Sequence, residues 1–213
     1  MFGSQAVRIV CTCVLALAGF LAAASPARAG LFGRQETPYT DLRPFPKWTG
    51  MLERYFEEKG STAGPCESKR FNRCHYETWN RLIDSWRPLA KDRQLDEVNR
   101  YFNKSPYILD AINWGVSDYW ETPGQFLAKS GDCEDYAIAK YLTLVRLGWP
   151  DAALHLVIVQ DLNLRINHAI LAADDRGQIR ILDNQIAVVI DSKRIRHYRP
   201  VYSVNQEGWL RYH

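Results

Sequence analysis

Residues 131–147 read GDCEDYAIAKYLTLVRL, and this stretch predicts a buried helix over 133–147. Asp132 is a suitable N-cap, and Asp135 three residues later gives an acidic variant of the capping box. Apolar side chains then cover most of the helix circumference, which is typical of a helix at the centre of a fold. The stretch therefore predicts a central helix that begins with a cysteine.

The segments on either side of this helix differ in periodicity. Upstream, apolar residues at three- and four-residue spacing predict helices, which cover 51–59, 76–86, 95–103 and a short segment from 123. Downstream, short β-branched runs between polar turns predict strands, which cover 154–160, 167–173, 178–183, 186–190 and 199–204. A helical first half followed by strands predicts an α+β fold in which an antiparallel sheet packs against the central helix.

The N-terminus has the features of a secretory signal. Arg8 precedes an apolar run, which ends in Ala27-Arg28-Ala29, an A-x-A cleavage site. The run is short for a membrane span and no basic stop-transfer cluster follows it, so we expect an exported protein that is not membrane-spanning once matured. An uncleaved N-terminal anchor is the alternative. The predicted organisation is a signal peptide at 1–29, a flexible lead-in at 30–46 and one domain at 47–213.

The charge balance argues against a nucleic-acid partner. The net charge of the whole chain is +3, and the signal holds Arg8 and Arg28 without any acid, so the remainder carries +1. A protein that binds nucleic acid by its phosphates normally has a clear excess of basic residues. We therefore expect no nucleic acid among the partners.

The cysteine count leaves one thiol over. Cys66, Cys74 and Cys133 remain after the signal is removed. Cys66 and Cys74 lie in one polar loop where a short disulfide is feasible in an oxidising compartment, which would leave Cys133 unpaired. An inert buried cysteine is the alternative to a nucleophile.

The position of Cys133 favours the nucleophile, because backbone N–H groups at a helix N-terminus stabilise a thiolate and an oxyanion. By position, Trp120 or Gln125 is a candidate second oxyanion donor.

His168 and Asp183 are predicted to face each other across a hairpin. If 174–177 form its loop, Ala173 pairs with Gln178 and His168 lies directly opposite Asp183. A loop one residue longer or shorter would put the two side chains on opposite faces. A carboxylate beside an imidazole fixes its orientation, as the base of a nucleophilic enzyme requires. The predicted catalytic residues are Cys133, His168 and Asp183.

Three acids crowd the predicted nucleophile, namely Asp132, Glu134 and Asp135. Their negative charge should raise the pKa of the Cys133 thiol. A bound Ca²⁺ would neutralise them, since calcium takes carboxylate oxygens. Acids in a first helical turn also complement the helix dipole without any metal, so the residues alone leave both explanations open.

The motifs GDCEDYAIAKYLTL (131–144), NHAIL (167–171) and ILDNQ (181–185) resemble the bacterial transglutaminase-like cysteine peptidases, the family that includes periplasmic adhesin-releasing proteases. The resemblance covers most of the chain after the signal. It implies a papain-like, transglutaminase-like fold and a Cys-His-Asp triad, which maps onto Cys133, His168 and Asp183. It also implies calcium as cofactor, with Asp132, Glu134 and Asp135 as metal ligands.

The same resemblance implies a biological role. The expected function is calcium-dependent endoproteolysis of a large cell-surface adhesin near its N-terminus in the periplasm, which releases the adhesin and controls biofilm attachment. The expected partners are this adhesin and an inner-membrane cyclic di-GMP receptor that sequesters the protease. Two alternatives remain. One is a transglutaminase or amide-forming acyltransferase, since hydrolysis and aminolysis share every step up to the acyl-enzyme. The other is a catalytically inert binding module.

Overall fold

The computed structural model describes residues 30–60, 66 and 71–213, so the predicted signal peptide at 1–29 lies outside the described residues. The described helices are α1 (Pro46–Gly60), α2 (Arg73–Trp86), α3 (Lys91–Phe102), α4 (Asp110–Asn113), α5 (Pro123–Lys129) and α6 (Cys133–Arg146). The described strands are β1 (Glu36–Tyr39), β2 (Leu154–Asp161), β3 (Ile166–Asp175), β4 (Gln178–Leu182), β5 (Ile190–Asp191), β6 (Tyr198–Val204) and β7 (Trp209–Tyr212).

The strands form one antiparallel sheet in the order β1-β7-β6-β2-β3-β4-β5. Helix α6 packs against β3 and β2 on one side and against α3 and α5 on the other. A helix surrounded in this way must be apolar on nearly all sides, and ten consecutive residues of α6, from Asp135 to Leu144, are buried. The predicted α+β fold with a central helix on an antiparallel sheet is confirmed.

The core has two parts, one on each face of the sheet. The larger part lies between the sheet and the helices, and it is rich in aromatic side chains such as Trp48, Trp79 and Tyr141. Two of its indoles have buried hydrogen-bond partners, since Trp48 donates to the Asn205 carbonyl and Trp79 to the Thr143 hydroxyl, both at 2.9 Å. The smaller part covers the other face, where Leu31 packs near the middle strands. The sheet is therefore buried on both faces.

The segment 30–46, predicted as a flexible lead-in, contains an ordered edge strand. Strand β1 pairs with β7, with Glu36 opposite Tyr212 and Tyr39 opposite Trp209. The Tyr39 and Trp209 rings also stack with centroids 4.3 Å apart. Cross-strand aromatic pairs stabilise a sheet. The partner strand lies near the other end of the chain, which is why local composition did not reveal it.

The predicted strand 186–190 is wrong for most of its length, because only Ile190 belongs to a strand, β5. The preceding residues run instead along the end of α3. There the Asn99 side chain donates to the carbonyls of Ile186 and Ala187, and the Asn103 side chain donates to that of Ile186. Amide side chains thus replace the hydrogen bonds that a strand neighbour would give.

Across the described ranges, every helix is too short or too polar to cross a lipid bilayer.

Candidate active site

Cys133 is the first residue of α6, as predicted. Asp132 precedes the helix in extended conformation, and its backbone N–H donates to the Asp135 carboxylate at 3.0 Å. Cys66 and Cys74 form a disulfide with Cα atoms 4.9 Å apart, so Cys133 is the free cysteine of the described residues. The thiol therefore lies at the positive end of the central helix dipole.

Gly131 allows this helix start to pack closely. A Cβ atom at this position would overlap the carboxylate and the Cβ of Asp135. Gly131 also accepts a hydrogen bond from the Ile108 backbone at 2.9 Å, which holds the preceding loop against the helix. Backbone and side chain meet here too closely for any residue larger than glycine.

Gly131→Ala is expected to lower the free energy of unfolding by about 1–3 kcal/mol, as overpacking does, and to displace Asp135. Chemical denaturation would measure the loss. Gly50→Ala in α1 is the matched control, because its Cβ would meet only Arg54 at 3.6 Å. That control should gain about 0.5–1 kcal/mol through helix propensity. Equal effects at the two positions would contradict the role of close packing at Gly131.

The hairpin between β3 and β4 differs from the predicted register by two residues. Its loop consists of Arg176 and Gly177 alone, with φ of 53° and 91°, and Ala173 pairs with Arg180 instead of Gln178. Positive φ at both loop positions is the requirement of a type I′ two-residue hairpin turn. A shift of two residues keeps every side chain on its face, whereas a shift of one would reverse them.

His168 and Asp183 consequently still meet, although not as a directly opposed pair. Asp183 is the residue after β4, and an extension of the register would place it diagonal to His168. His168 Nε2 and Asp183 Oδ1 are 2.8 Å apart, and both side chains are buried. Diagonal neighbours on one face are within reach of long side chains. The predicted contact exists, and the predicted register is wrong.

Asp183 is held by three donors. Its Oδ2 accepts from the Tyr198 hydroxyl at 2.7 Å, and its Oδ1 accepts from the Gln185 backbone N–H at 2.9 Å and from His168. Burial raises the pKa of Asp183, but hydrogen bonds and the charge of His168 outweigh it and leave this pKa below its usual value. Asp183 is therefore held as a carboxylate.

Cys133 and His168 line one cavity of about 310 Å³. Trp120 also lines it, so this candidate oxyanion donor lies beside the thiol. Gln125 is occupied elsewhere, because its side chain accepts from the Thr122 backbone at 2.9 Å and donates to the Tyr119 hydroxyl at 3.0 Å. The sequence did not distinguish these two candidates, and the cavity favours Trp120.

The Cys133 thiol is in an unfavourable setting for ionisation. Its pKa is raised by burial first, then by the charge of Glu134 and by the hydrogen bond that the thiol donates to Glu134 Oε2 at 3.2 Å. A backbone hydrogen bond from Ala169, next to His168, opposes this rise. The prediction that the flanking acids raise the thiol pKa agrees in direction.

The acidic cluster around Cys133 includes a residue that sequence reasoning missed. Asp110 in α4 places a carboxylate oxygen within 4.8 Å of oxygens of Asp132 and Asp135. Glu134 forms a similar group with Asp110 and Asp118. Asp110 lies 22 residues before Asp132, and nothing in its local sequence indicated that the chain returns there.

These acids repel each other in a buried space. Burial is the largest cause of the raised pKa in each case, and it takes Asp110 to about 6, Glu134 to about 9 and Asp135 well above its ordinary value. The neighbouring carboxylates add to the effect. Asp110 Oδ1 and Asp132 Oδ1 are buried without a hydrogen-bond partner in the described residues. Unpartnered carboxylate oxygens converging on one point fit a hard cation such as Ca²⁺.

Comparisons with known proteins identify the family of this chain. Residues 65–209 match the family described as bacterial transglutaminase-like cysteine proteinase. A solved structure of LapG from Legionella pneumophila is similar at 32% identity and a TM-score of 0.61, covering 75% of this chain and 85% of that one. A calcium-bound LapG structure and an EGTA-treated one match equally, with 87% and 84% of those chains covered. Among curated proteins, none matches this chain.

The fold, with a free cysteine at the start of a central helix on an antiparallel sheet, and the family match together define a cysteine peptidase. The chain belongs to the bacterial transglutaminase-like cysteine proteinases.

Proposed function

We propose that this peptidase cleaves its substrate with Cys133 as nucleophile, His168 as general base and acid, and Asp183 as the residue that orients the imidazole. The observation that carries the proposal is the buried His168–Asp183 hydrogen bond beside the cavity that holds Cys133. If Nε2 of His168 carries the proton shared with Asp183, the lone pair of Nδ1, which the Gln185 side-chain amide approaches to 3.5 Å, takes the thiol proton.

The reaction follows from these roles. Cys133 Sγ attacks the substrate carbonyl carbon while its proton passes to His168, and backbone N–H groups at the start of α6 stabilise the oxyanion. His168 then gives the proton to the leaving amine as the C–N bond breaks. Water, deprotonated by His168, next attacks the thioester and releases the carboxylic acid product. The proton returns to the thiolate.

Calcium is proposed as the cofactor, held by Asp132, Glu134 and Asp135 together with Asp110. Its support is the buried group of mutually repelling carboxylates and the calcium-bound form of LapG. Bound calcium supplies positive charge, which favours the ionised carboxylates and the thiolate. Glu134 would then be drawn from its present contact with the Cys133 thiol.

The proposed substrate is the N-terminal region of a large cell-surface adhesin, and the proposed location is the periplasm. The secretory features of 1–29 and the Cys66–Cys74 disulfide support export to an oxidising compartment. The adhesin, its release from the cell surface as a control on biofilm attachment, and an inner-membrane cyclic di-GMP receptor as the regulating partner are proposed from membership of this family.

Incubation with a recombinant N-terminal fragment of a large repeat adhesin from the same genome tests this function. Mass spectrometry should find two products whose masses sum to the substrate plus one water. Amine adducts or crosslinks would instead indicate acyl transfer by the same residues. An uncleaved fragment in calcium-containing buffer would contradict the adhesin as substrate, and a proteome-derived peptide library would then identify the bonds that are cleaved.

Tyr198→Phe is expected to reduce kcat/KM by about tenfold, because its hydroxyl bonds to the Asp183 oxygen that does not face His168 and a hydrogen bond to a charged group contributes about 1.5–3 kcal/mol. Steady-state kinetics would measure the change. Tyr212→Phe is the control, since its buried hydroxyl pairs with Ser203 and not with the site. Equal losses in both variants would show a general effect on folding.

A further inference from the structure

A second cavity, of about 320 Å³, adjoins the cavity that holds Cys133. The two cavities have three lining residues in common, namely Asp118, Trp120 and Tyr202. Because the same side chains border both, a substrate bound at Cys133 can extend directly into the second cavity. The roles proposed for the catalytic residues leave this second cavity without a task.

Four of the other walls of the second cavity are rings. They come from segment 44–48, which leads into α1, and are Pro44, Phe45, Pro46 and Trp48. The ring centroids of Phe45 and Tyr202 are 5.1 Å apart. Those of Trp48 and Trp120 are 6.4 Å apart. Sites that bind small organic groups are typically lined by apolar and aromatic side chains in this way.

The two charged residues at this cavity neutralise each other. Lys47 Nζ forms an ion pair with Asp118 Oδ2, and both side chains are about half exposed. A charged group that entered the cavity would lose water without gaining a free partner of opposite charge. An apolar group would instead gain free energy by leaving water. The lining therefore favours an apolar occupant.

The wall that the two cavities share is fixed by side chains of three helices. The Trp120 carbonyl accepts from Arg54 Nη2 of α1 at 2.6 Å. The backbone N–H of the preceding residue donates to Asp110 of α4 at 2.5 Å, and that of the following residue donates to Asp135 of α6 at 2.7 Å. A wall that is fixed before the ligand binds favours ligands of a matching size and shape.

We propose that the second cavity is a substrate subsite, which takes an aliphatic or aromatic side chain of a residue that flanks the scissile bond. This inference rests on the proposed function, since the occupant belongs to the peptide that Cys133 attacks. Residues of an extended peptide are about 3.3 Å apart, so a neighbour of the residue whose carbonyl lies at Cys133 reaches the adjoining cavity. Phe45, which lines the second cavity and not the first, determines the size of side chain that fits.

The first test determines the preference of the purified protein with a proteome-derived peptide library in calcium-containing buffer. Mass spectrometry of the products should show one position beside the cleaved bond at which apolar residues prevail. Synthetic peptides that differ only at this position would then be compared. A peptide with leucine should have a kcat/KM at least about tenfold above that of peptides with aspartate or lysine, as for discrimination by an apolar pocket.

The second test changes the size of the cavity. Phe45→Ala enlarges it and Phe45→Trp reduces it, so the two variants should shift the preference in opposite directions. The measured quantity is the kcat/KM of a peptide with tryptophan at the same position divided by that of a peptide with alanine. This ratio should rise about tenfold in Phe45→Ala and fall about tenfold in Phe45→Trp. A ratio measured within one variant does not depend on the fraction of protein that is folded.

The matched control makes the same two changes at Phe56. Its ring is 55% exposed in α1 and contacts that of Tyr55. Phe56→Ala and Phe56→Trp should both keep the wild-type ratio. If one Phe45 variant does not fold, the other variant and the wild-type preference decide the question.

Cleaved bonds without an apolar position beside them would overturn this inference alone, and so would a wild-type ratio in the folded Phe45 variants. Failure of the proposed function is a separate result. The library would then stay uncleaved, or Cys133→Ala would cleave it as the wild type does, and this inference would fail together with the proposed function.

Discussion

Cys133→Ala is expected to abolish peptide cleavage, with kcat/KM lower by about 10⁴-fold or more, as for loss of the nucleophile in other covalent hydrolases. The reason is that the thioester cannot form without the sulfur, and the remaining groups of the cavity only bind and polarise the substrate. The folded state should be kept, since Cys133 is half-buried and its thiol bonds to Glu134, the Tyr107 side chain and the Ala169 backbone. Cleavage of the adhesin fragment followed over time would measure the loss.

The control for this variant removes Cys66 and Cys74 instead. Cys66→Ser with Cys74→Ser breaks the disulfide, which should cost stability by about 2–4 kcal/mol, but it leaves Cys133 in place. Activity at low temperature should survive. An electrophilic thiol probe should label the double variant at Cys133 and should leave Cys133→Ala unlabelled. Wild-type cleavage by Cys133→Ala would refute the assignment of the nucleophile.

Removal of calcium with EGTA is expected to lower kcat/KM by about a hundredfold or more, since each unit by which the thiol pKa is raised lowers the thiolate fraction about tenfold. Addition of Ca²⁺ should restore the activity. The physical reason is the buried acidic cluster. Without a cation, the thiol donates its proton in a hydrogen bond to Glu134, and the pKa of Cys133 is raised. Activity titrated against free Ca²⁺ would measure the dependence.

Asp110→Asn tests the proposed calcium site most directly, because only the tertiary structure places Asp110 among the proposed ligands. It should raise the Ca²⁺ concentration needed for half-maximal activity while leaving the maximal rate close to that of the wild type. Asp84→Asn, on the exposed part of α2, is the control and should change neither value. Activity that survives EGTA, with no gain on adding Ca²⁺, would refute the cofactor.

The pH dependence of stability should differ with and without calcium. In the calcium-free protein, the pKa of Asp110 is raised to about 6 and that of Glu134 to about 9. The folded state then binds more protons than the unfolded state between about pH 4 and pH 9, so its stability should fall as the pH rises. Bound calcium favours the carboxylates and should remove this fall. Melting temperatures across that range would measure it.

Helix α6, which begins at Cys133, shows which structural features can be predicted from local sequence. Its start is set by Asp132 and Asp135, which lie within two residues of the thiol, and its burial follows from the apolar residues of the same segment. The strand that carries His168 was likewise evident from its β-branched run. Such features depend on helix and strand periods and on caps, which act over one or two turns.

The hairpin shows the limit of the same reasoning. Local residues did not decide between a four-residue and a two-residue loop, but both options keep His168 and Asp183 on one face. Side chains alternate between the two faces of a strand, so the strand's own sequence decides which residues share a face. The contact between His168 and Asp183 could therefore be predicted. The register depends on two things. One is the positive φ of Arg176 and Gly177, and the other is the packing of the whole sheet.

By itself, then, the sequence determined the α+β class, the central helix with its cysteine, and the face that carries the imidazole. Only the tertiary structure decided that β1 joins β7, that Asp110 joins the acids at Cys133, and that Tyr198 bonds to Asp183. The features that the sequence determined depend on hydrogen bonds within a few residues and on the spacing of apolar residues. The others depend on contacts between segments far apart in sequence, which form only when the core is packed.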